Sequence, residues 1–344
     1  MSSFIFIGSI QCGSPGTGGG VQNKNQYFIS YIKDRYPDCK IIDTWGMNSF
    51  VALIKIIIII LQTNRKTPIV LSISKLGPYC IAKLFHFFGL KRRCFYWVAG
   101  GNLAIFLKKK SKSTIRSYGF YEKVVVQCDY LKRDLEELGI KNCLVVPNFK
   151  PIDYLPIIKN NDEEQKRFVF LSRILKEKGI DEIVEAVKRL NNPLVSVDLY
   201  GSLCAPYSVE YFTGLKDLNI SYKGFMDMRQ NESYDILSKY YALLLPTYYM
   251  GEGFPGTLID AQIAALPSIV SDFHANPEVI KNYYNGIIIP PKDSQSLANA
   301  MNSLINDRSL RDELSHNARM SVNNYDVDYV LGKALRDLNL SDRD

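Results

Sequence analysis

Short apolar, β-branched runs alternate with longer amphipathic stretches along almost the whole chain. In the first half, the runs at 4–7, 40–43, 69–74, 94–98, 123–126 and 144–146 read as strands. Stretches at 22–36, 49–62, 79–88 and 130–138 read as helices between them. Strands that are apolar at nearly every position, rather than at every second one, are expected when helices cover both faces of a parallel sheet. The pattern breaks after Pro147, where Pro147-Asn148-Phe149-Lys150-Pro151, Pro156 and the polar run from Lys159 to Lys166 mark a linker. It then resumes, with strands at 168–171, 195–200, 220–223, 242–245, 268–270 and 286–288. Helices are expected at 180–190, 233–239, 257–264 and 295–304, with more helix within 309–338. The chain therefore reads as α/β: two Rossmann-like, doubly wound parallel-sheet domains at 1–148 and 167–322, a linker at 149–166 and a helical tail at 323–344. Two such domains would face a central cleft lined by the carboxyl ends of their strands, where open α/β sheets bind ligands.

Composition narrows the class. A chain of 344 residues, 47% apolar and 22% charged, fits two ordinary globular domains and excludes collagen, coiled coil and disulfide scaffold. Its longest apolar run, Val51 to Leu61, contains Lys55 and falls far short of the ~20 residues that cross a bilayer. The opening Met1-Ser2-Ser3-Phe4-Ile5 carries neither a basic region nor a cleavage site, so no signal peptide is expected. Seven cysteines between Cys12 and Cys204, with no Cys-x-x-Cys pair, suggest reduced thiols in a cytosolic protein.

Charge is uneven. Residues 1–150 hold 22 Lys+Arg against 8 Asp+Glu, a net of +14; the remainder holds 20 against 27, a net of −7. Lys91 to Lys123 alone carries nine bases and the single acid Glu122. A solvated basic face is one reading; attraction to an anionic partner is the other. No basic helix-turn-helix, zinc or aromatic-basic motif accompanies the charge, which argues against nucleic acid. An anionic membrane surface fits better, since Phe85, Phe87, Phe88, Tyr96 and Trp97 lie beside the bases.

Three loops carry candidate chemistry. Gly16-Thr17-Gly18-Gly19-Gly20 follows the first strand and opens a helix, where backbone amides can approach an anion. It matches neither Gly-x-Gly-x-x-Gly nor a P-loop. Ser172-Arg173, with Lys178-Gly179, follows the first strand of the second half and places two cations where they could neutralise a diphosphate. Gly251-Glu252-Gly253-Phe254-Pro255-Gly256-Thr257-Leu258-Ile259-Asp260 follows the strand at 242–245. Its glycines permit a tight turn into a helix start that cradles an anion, and its two acids can accept the paired hydroxyls of a sugar.

Glu252 and Asp260, separated by seven residues, resemble the Glu-x7-Glu motif of glycosyltransferase family 4, retaining nucleotide-sugar transferases of GT-B fold. Ser172 to Gly179, Pro147-Asn148, and Asn285-Gly286 with Pro290-Pro291 agree in order and spacing. The resemblance implies that Arg173 and Lys178 hold the donor diphosphate, with Ser172 beside them, and that Glu252 binds the donor sugar. Asp260 would take the ribose hydroxyls, and the segment Phe254-Pro255-Gly256-Thr257-Leu258 would offer its backbone N–H groups, of which Pro255 has none. Gly224, Phe225 and Met226 would lie along the base; Gly19 and Gly20 would close over the diphosphate. Glu252, Arg173 and Lys178 are the implied catalytic residues. No cofactor or metal is implied, so Asp326-x-Asp328 reads as accidental.

Two departures stand out: Asp260 replaces the usual Glu, and Tyr96-Trp97-Val98-Ala99-Gly100-Gly101 lacks the family's histidine. Trp97, Gly100 and Gly101 are assigned to the acceptor side, while His86, His274 and His316 read as structural. The implied reaction moves a sugar from a UDP- or GDP-linked donor to a glycan acceptor, lipid-linked, in capsule or O-antigen synthesis. The protein would be cytoplasmic, peripheral on the inner face of the membrane, and the tail at 323–344 would cross back to the first domain. The alternatives are a glycan-binding scaffold subunit, a sugar-nucleotide epimerase or a phosphorylase of the same fold.

Overall fold

A computed structural model describes residues 4–10, 20–158 and 164–340. The chain divides into two compact units, one of residues 1–151 with 325–344 and the other of residues 152–324. In the first, β1 (Ile5–Gly8), α1 (Gly20–Arg35), β2 (Lys40–Asp43), α2 (Ser49–Gln62), β3 (Ile69–Ser72) and α3 (Leu76–Phe87) alternate. Then come β4 (Cys94–Trp97), α4 (Leu103–Leu107), α5 (Lys112–Ser117), β5 (Lys123–Val126), α6 (Asp129–Glu137) and β6 (Cys143–Val145). All six strands are parallel, in the order β2-β1-β3-β4-β5-β6. The strand order reverses direction at β1 and β3.

The second unit begins with β7 (Lys166–Leu171), α7 (Ile180–Leu190), β8 (Val195–Tyr200), α8 (Val209–Thr213), β9 (Ile220–Gly224) and α9 (Asn231–Leu237). It continues with β10 (Ala242–Leu245), α10 (Gly256–Ile263), β11 (Ser268–Ser271), α11 (Asn276–Val279), β12 (Gly286–Ile289), α12 (Ser294–Asn306) and α13 (Arg308–Ser321). The order β12-β11-β10-β7-β8-β9 is again parallel throughout and reverses between β7 and β10. Loops leaving the carboxyl ends of those two strands therefore flank a crevice at the topological switch point.

The final helix, α14 (Val327–Asp337), belongs to the first unit. Val330, Leu331, Ala334 and Leu335 join Phe6, Phe28, Ile32 and Phe95 in one buried cluster. Lys150 and Tyr325 anchor the return, the Lys150 amide donating to the Tyr325 carbonyl at 3.0 Å. Phe149 is buried in the same cluster, so the segment after β6 is core before it is connection. Asp326 caps α14 through the Asp328 amide at 2.9 Å, and Asp328 pairs with Arg35 at 2.9 Å. The Asp-x-Asp is thus a helix cap and a surface ion pair.

Candidate functional site

The loop after β7 is shaped by two glycines. Gly179 has φ +86°, and a Cβ there would lie 2.4 Å from the Pro246 carbonyl oxygen. Gly201, after β8, would bring a Cβ to within 1.8 Å of the Ser172 carbonyl oxygen. Side chains are excluded from both places, so the loops after β7, β8 and β10 lie backbone against backbone. The Ile174 amide donates to Ser202 at 2.9 Å, and the Tyr248 amide to Glu177 at 2.8 Å.

This packing delivers Lys178 to Glu252. The two residues are 5% and 8% exposed, and the ammonium donates to Glu252 Oε2. Thr247 Oγ1 lies 3.2 Å from the same oxygen. Ser271, at the end of β11, donates to the Thr247 carbonyl, and Asn276 holds Ser271 through Nδ2 at 3.0 Å. Three adjacent strand ends thus fix one buried ion pair. Arg173 is exposed, and its guanidinium lies 5.5 Å from the Tyr249 ring, with Lys178 Nζ 5.8 Å from the same ring. Tyr249 holds both cations by their attraction to its π face.

The structure therefore brings Arg173, Lys178 and Glu252 together around Tyr249. It directs Asp260 differently: that side chain is 4% exposed on α10 and accepts from the Tyr234 hydroxyl of α9 at 2.9 Å. Phe254 and Pro255 are buried, and Leu258 is a core residue whose amide donates to the Pro255 carbonyl at 3.1 Å. That bond takes Leu258 out of the set of anion donors, leaving the amides at Gly256 and Thr257, which open the helix. Thr257 Oγ1 is buried without a hydrogen-bond partner among the described residues. Ser172 lies on the loop, with its amide on Tyr200 at 3.1 Å. Gly224 turns at φ +83°; Phe225 beyond it is 54% exposed, and Met226 is buried. Thr247, Tyr249 and Tyr234 were missed by sequence reading: Tyr249 and Tyr234 matter through partners distant in sequence, and Thr247, five residues before Glu252, belongs to no motif.

In the first unit, Gly20 opens α1, while Gly18 and Gly19 lie outside the described residues. Trp97 requires a correction. It is 1% exposed and packs edge-on against Phe28 at 5.0 Å, so it belongs to the core and not to an acceptor surface. Every residue of β4 is buried, as a central strand covered on both faces demands. Gly100, at φ +77°, and Gly101 form the turn beyond it. His86 is exposed on α3 and His316 on α13, so neither is packed.

Beneath that turn, Lys24 is 5% exposed and donates from Nζ to the Val98 carbonyl at 3.2 Å. Neighbouring Asn25 bonds the Ser72 hydroxyl at 2.6 Å and the Ser9 carbonyl at 2.9 Å, tying α1 to the ends of β1 and β3. Burial pushes the Lys24 ammonium down to about 7. The unfolded chain therefore binds a proton that the native state lacks between pH ~7 and ~10.4, and the cost of burial, full below that window, is relieved as pH rises through it. Lys24→Met should stabilise the protein by on the order of 2–3 kcal/mol at pH 6.5, after allowing for the lost Val98 bond. The gap to the unsubstituted protein should narrow towards pH 9 in denaturation curves; a gap independent of pH would contradict this.

Residues 153–321 match the family described as glycosyl transferases group 1. The chain is similar to the capsular polysaccharide biosynthesis glycosyltransferase CapM of Staphylococcus aureus, 27% identical over 160 residues, covering 45% of this chain and 40% of that protein. It is also similar to the N,N'-diacetylbacillosaminyl-diphospho-undecaprenol alpha-1,3-N-acetylgalactosaminyltransferase of Campylobacter jejuni, 27% identical over 237 residues, covering 69% of this chain and 56% of that protein. The matched stretches thus span about half the length of these relatives. Among solved structures, Anabaena Alr3699/HepE in complex with UDP superposes with a TM-score of 0.74 at 14% identity, covering 98% of this chain and 99% of that one. Two doubly wound sheets and this match together give the GT-B fold, and residues 153–321 belong to the glycosyl transferases group 1 family.

Proposed function

We propose that the protein is a retaining glycosyltransferase that moves a sugar from a UDP- or GDP-linked donor onto a lipid-linked glycan in surface polysaccharide synthesis. The observation that carries this reading is the buried Lys178–Glu252 pair beside Arg173, held by loops at the β7/β10 switch point. Lys178 has three ammonium protons and directs one to Glu252; the others can meet diphosphate oxygens. Both described bonds to the Glu252 side chain reach Oε2, so Oε1 can accept a hydroxyl of the donor sugar. Arg173 adds a guanidinium fork for the leaving diphosphate, and Gly256 and Thr257 add amides at a helix start. Asp260, steadied by Tyr234, takes the ribose hydroxyls. Leaving-group charge is met by these groups without a resident metal. Retention follows from attack on the face that the diphosphate leaves, with a phosphate oxygen receiving the acceptor proton.

The named capsule and undecaprenol-diphosphate relatives support a lipid-linked acceptor and attachment at the inner face of the membrane. No described helix is long and apolar enough to cross a bilayer. The test is transfer from labelled UDP- and GDP-sugars to lipid-linked glycans, with the product anomer read by NMR. We expect retention and a loss of about 10²–10³-fold in rate for Arg173→Ala, the magnitude typical of one lost charge-stabilising donor. An inverted anomer, or a rate unchanged in the variant, would overturn the assignment.

A further inference from the structure

The first unit presents an apolar surface that its own core does not use. Ile56 and Ile60 turn the inner side of α2 into the fold. Phe50, Val51, Ile54, Ile58 and Leu61 are 70, 56, 43, 45 and 61% exposed. At 100° per residue these five fall within an arc of about 100° on the side of the helix away from the buried pair. The helix is therefore apolar on two faces, and none of the unit's described residues buries the outer one.

A pocket of about 490 Å³ lies at the amino-terminal end of α2, between it and α3. Leu53, Ile56, Ile73 and Met47 make its walls. Ser9, Thr44 and Ser74, just beyond the carboxyl ends of β1, β2 and β3, give it a polar side. It thus sits at the switch point of the first sheet and has the size and mixed lining of a small-molecule site. Phe50 lines the pocket and also begins the exposed stripe, so pocket and stripe are continuous.

Charge identifies what covers this face. Between Asp43 and Glu122 the chain carries thirteen lysines and arginines and not one aspartate or glutamate. Lys55 borders the stripe, Lys75 and Lys83 lie on or beside α3, and Arg92 is tied to the end of α2 through the Thr63 carbonyl at 2.7 Å. Apolar residues within an acid-free basic field match an anionic lipid surface. Of the aromatics expected beside the bases, Phe85, Tyr96 and Trp97 are core, while Phe87 and Phe88 are 83% and 62% exposed at the end of α3.

We propose that the outer face of α2 enters an anionic bilayer and that the pocket beside it receives the hydrocarbon chain of the lipid carrying the acceptor glycan. Assigning the chain to the acceptor rests on the transferase reading above; the bilayer contact does not. The test uses flotation of the full chain with phosphatidylglycerol-containing and pure phosphatidylcholine vesicles, and cis-parinaric acid fluorescence as the probe of the pocket. The protein should float with the anionic vesicles and lose at least about tenfold in partitioning with Ile54→Glu/Ile58→Glu, whose positions are exposed. Ala52→Phe, which fills the pocket, should abolish parinaric acid binding and leave flotation intact. Circular dichroism melting checks that both variants fold. Flotation unaffected by the glutamates, or parinaric acid bound equally by Ala52→Phe, overturns the proposal. Nucleotide binding is measured in parallel: its loss with flotation and parinaric acid binding intact would sink the transferase reading and uphold the lipid face.

Discussion

Replacing Glu252 by alanine is expected to cost about 3–5 kcal/mol of stability and to abolish sugar transfer. Lys178 and Glu252 are 5% and 8% exposed, so removing the carboxylate leaves a nearly buried ammonium without its counter-ion. A merely functional residue could be removed without that cost. The pair substitution Lys178→Met/Glu252→Leu separates the two roles, because a well-packed apolar pair can recover the stability of a buried ion pair. Chemical denaturation should show the double variant near the unsubstituted protein, and transfer should remain absent. A loss below about 1 kcal/mol for Glu252→Ala, the range of an exposed pair, would mean that the two groups do not meet in the folded protein.

Gly179→Ala should be nearly as damaging, although it changes no side chain that touches a ligand. The residue sits at φ +86°, which costs an L-residue ~1–2 kcal/mol, and its new Cβ would lie 2.4 Å from the Pro246 carbonyl. Relief requires the loop after β7 to move away from the loop after β10, drawing Lys178 from Glu252. The total is expected to reach on the order of 3 kcal/mol, with nucleotide affinity falling alongside stability. Gly100→Ala is the control: φ is +77°, but no described residue lies within 4 Å of its Cβ, so only the conformational cost applies. Equal effects at the two glycines would show that the loop contact is unimportant.

Much of the architecture was legible because strands buried on both faces must be apolar throughout. Differences arose where local signals compete. The helix expected at 79–88 begins at Leu76, with Pro78 in its first turn, where proline is tolerated because the amides there lack partners anyway. The helical stretch within 309–338 divides into α13 and α14 because Asp326 caps a new helix. The short helices α4, α5, α8 and α11, each of four to six residues, leave too little periodicity to detect. At the candidate site, Arg173, Lys178, Glu252 and Asp260 were singled out through motif spacing. The direct pairing of Lys178 with Glu252 joins positions 74 residues apart, and no local pattern encodes it. Trp97 was misassigned because an aromatic beside basic residues looks like a surface, whereas its place in a central strand makes it core.

The second unit is expected to bind a nucleoside diphosphate through the groups gathered at Tyr249. Isothermal titration of the full chain with UDP and with GDP tests it most directly. Saturable binding of one nucleotide per chain is expected, weakened at least about tenfold by Arg173→Ala through the loss of a charge-assisted contact. Binding of neither nucleotide, or equal affinity in the variant, would contradict it.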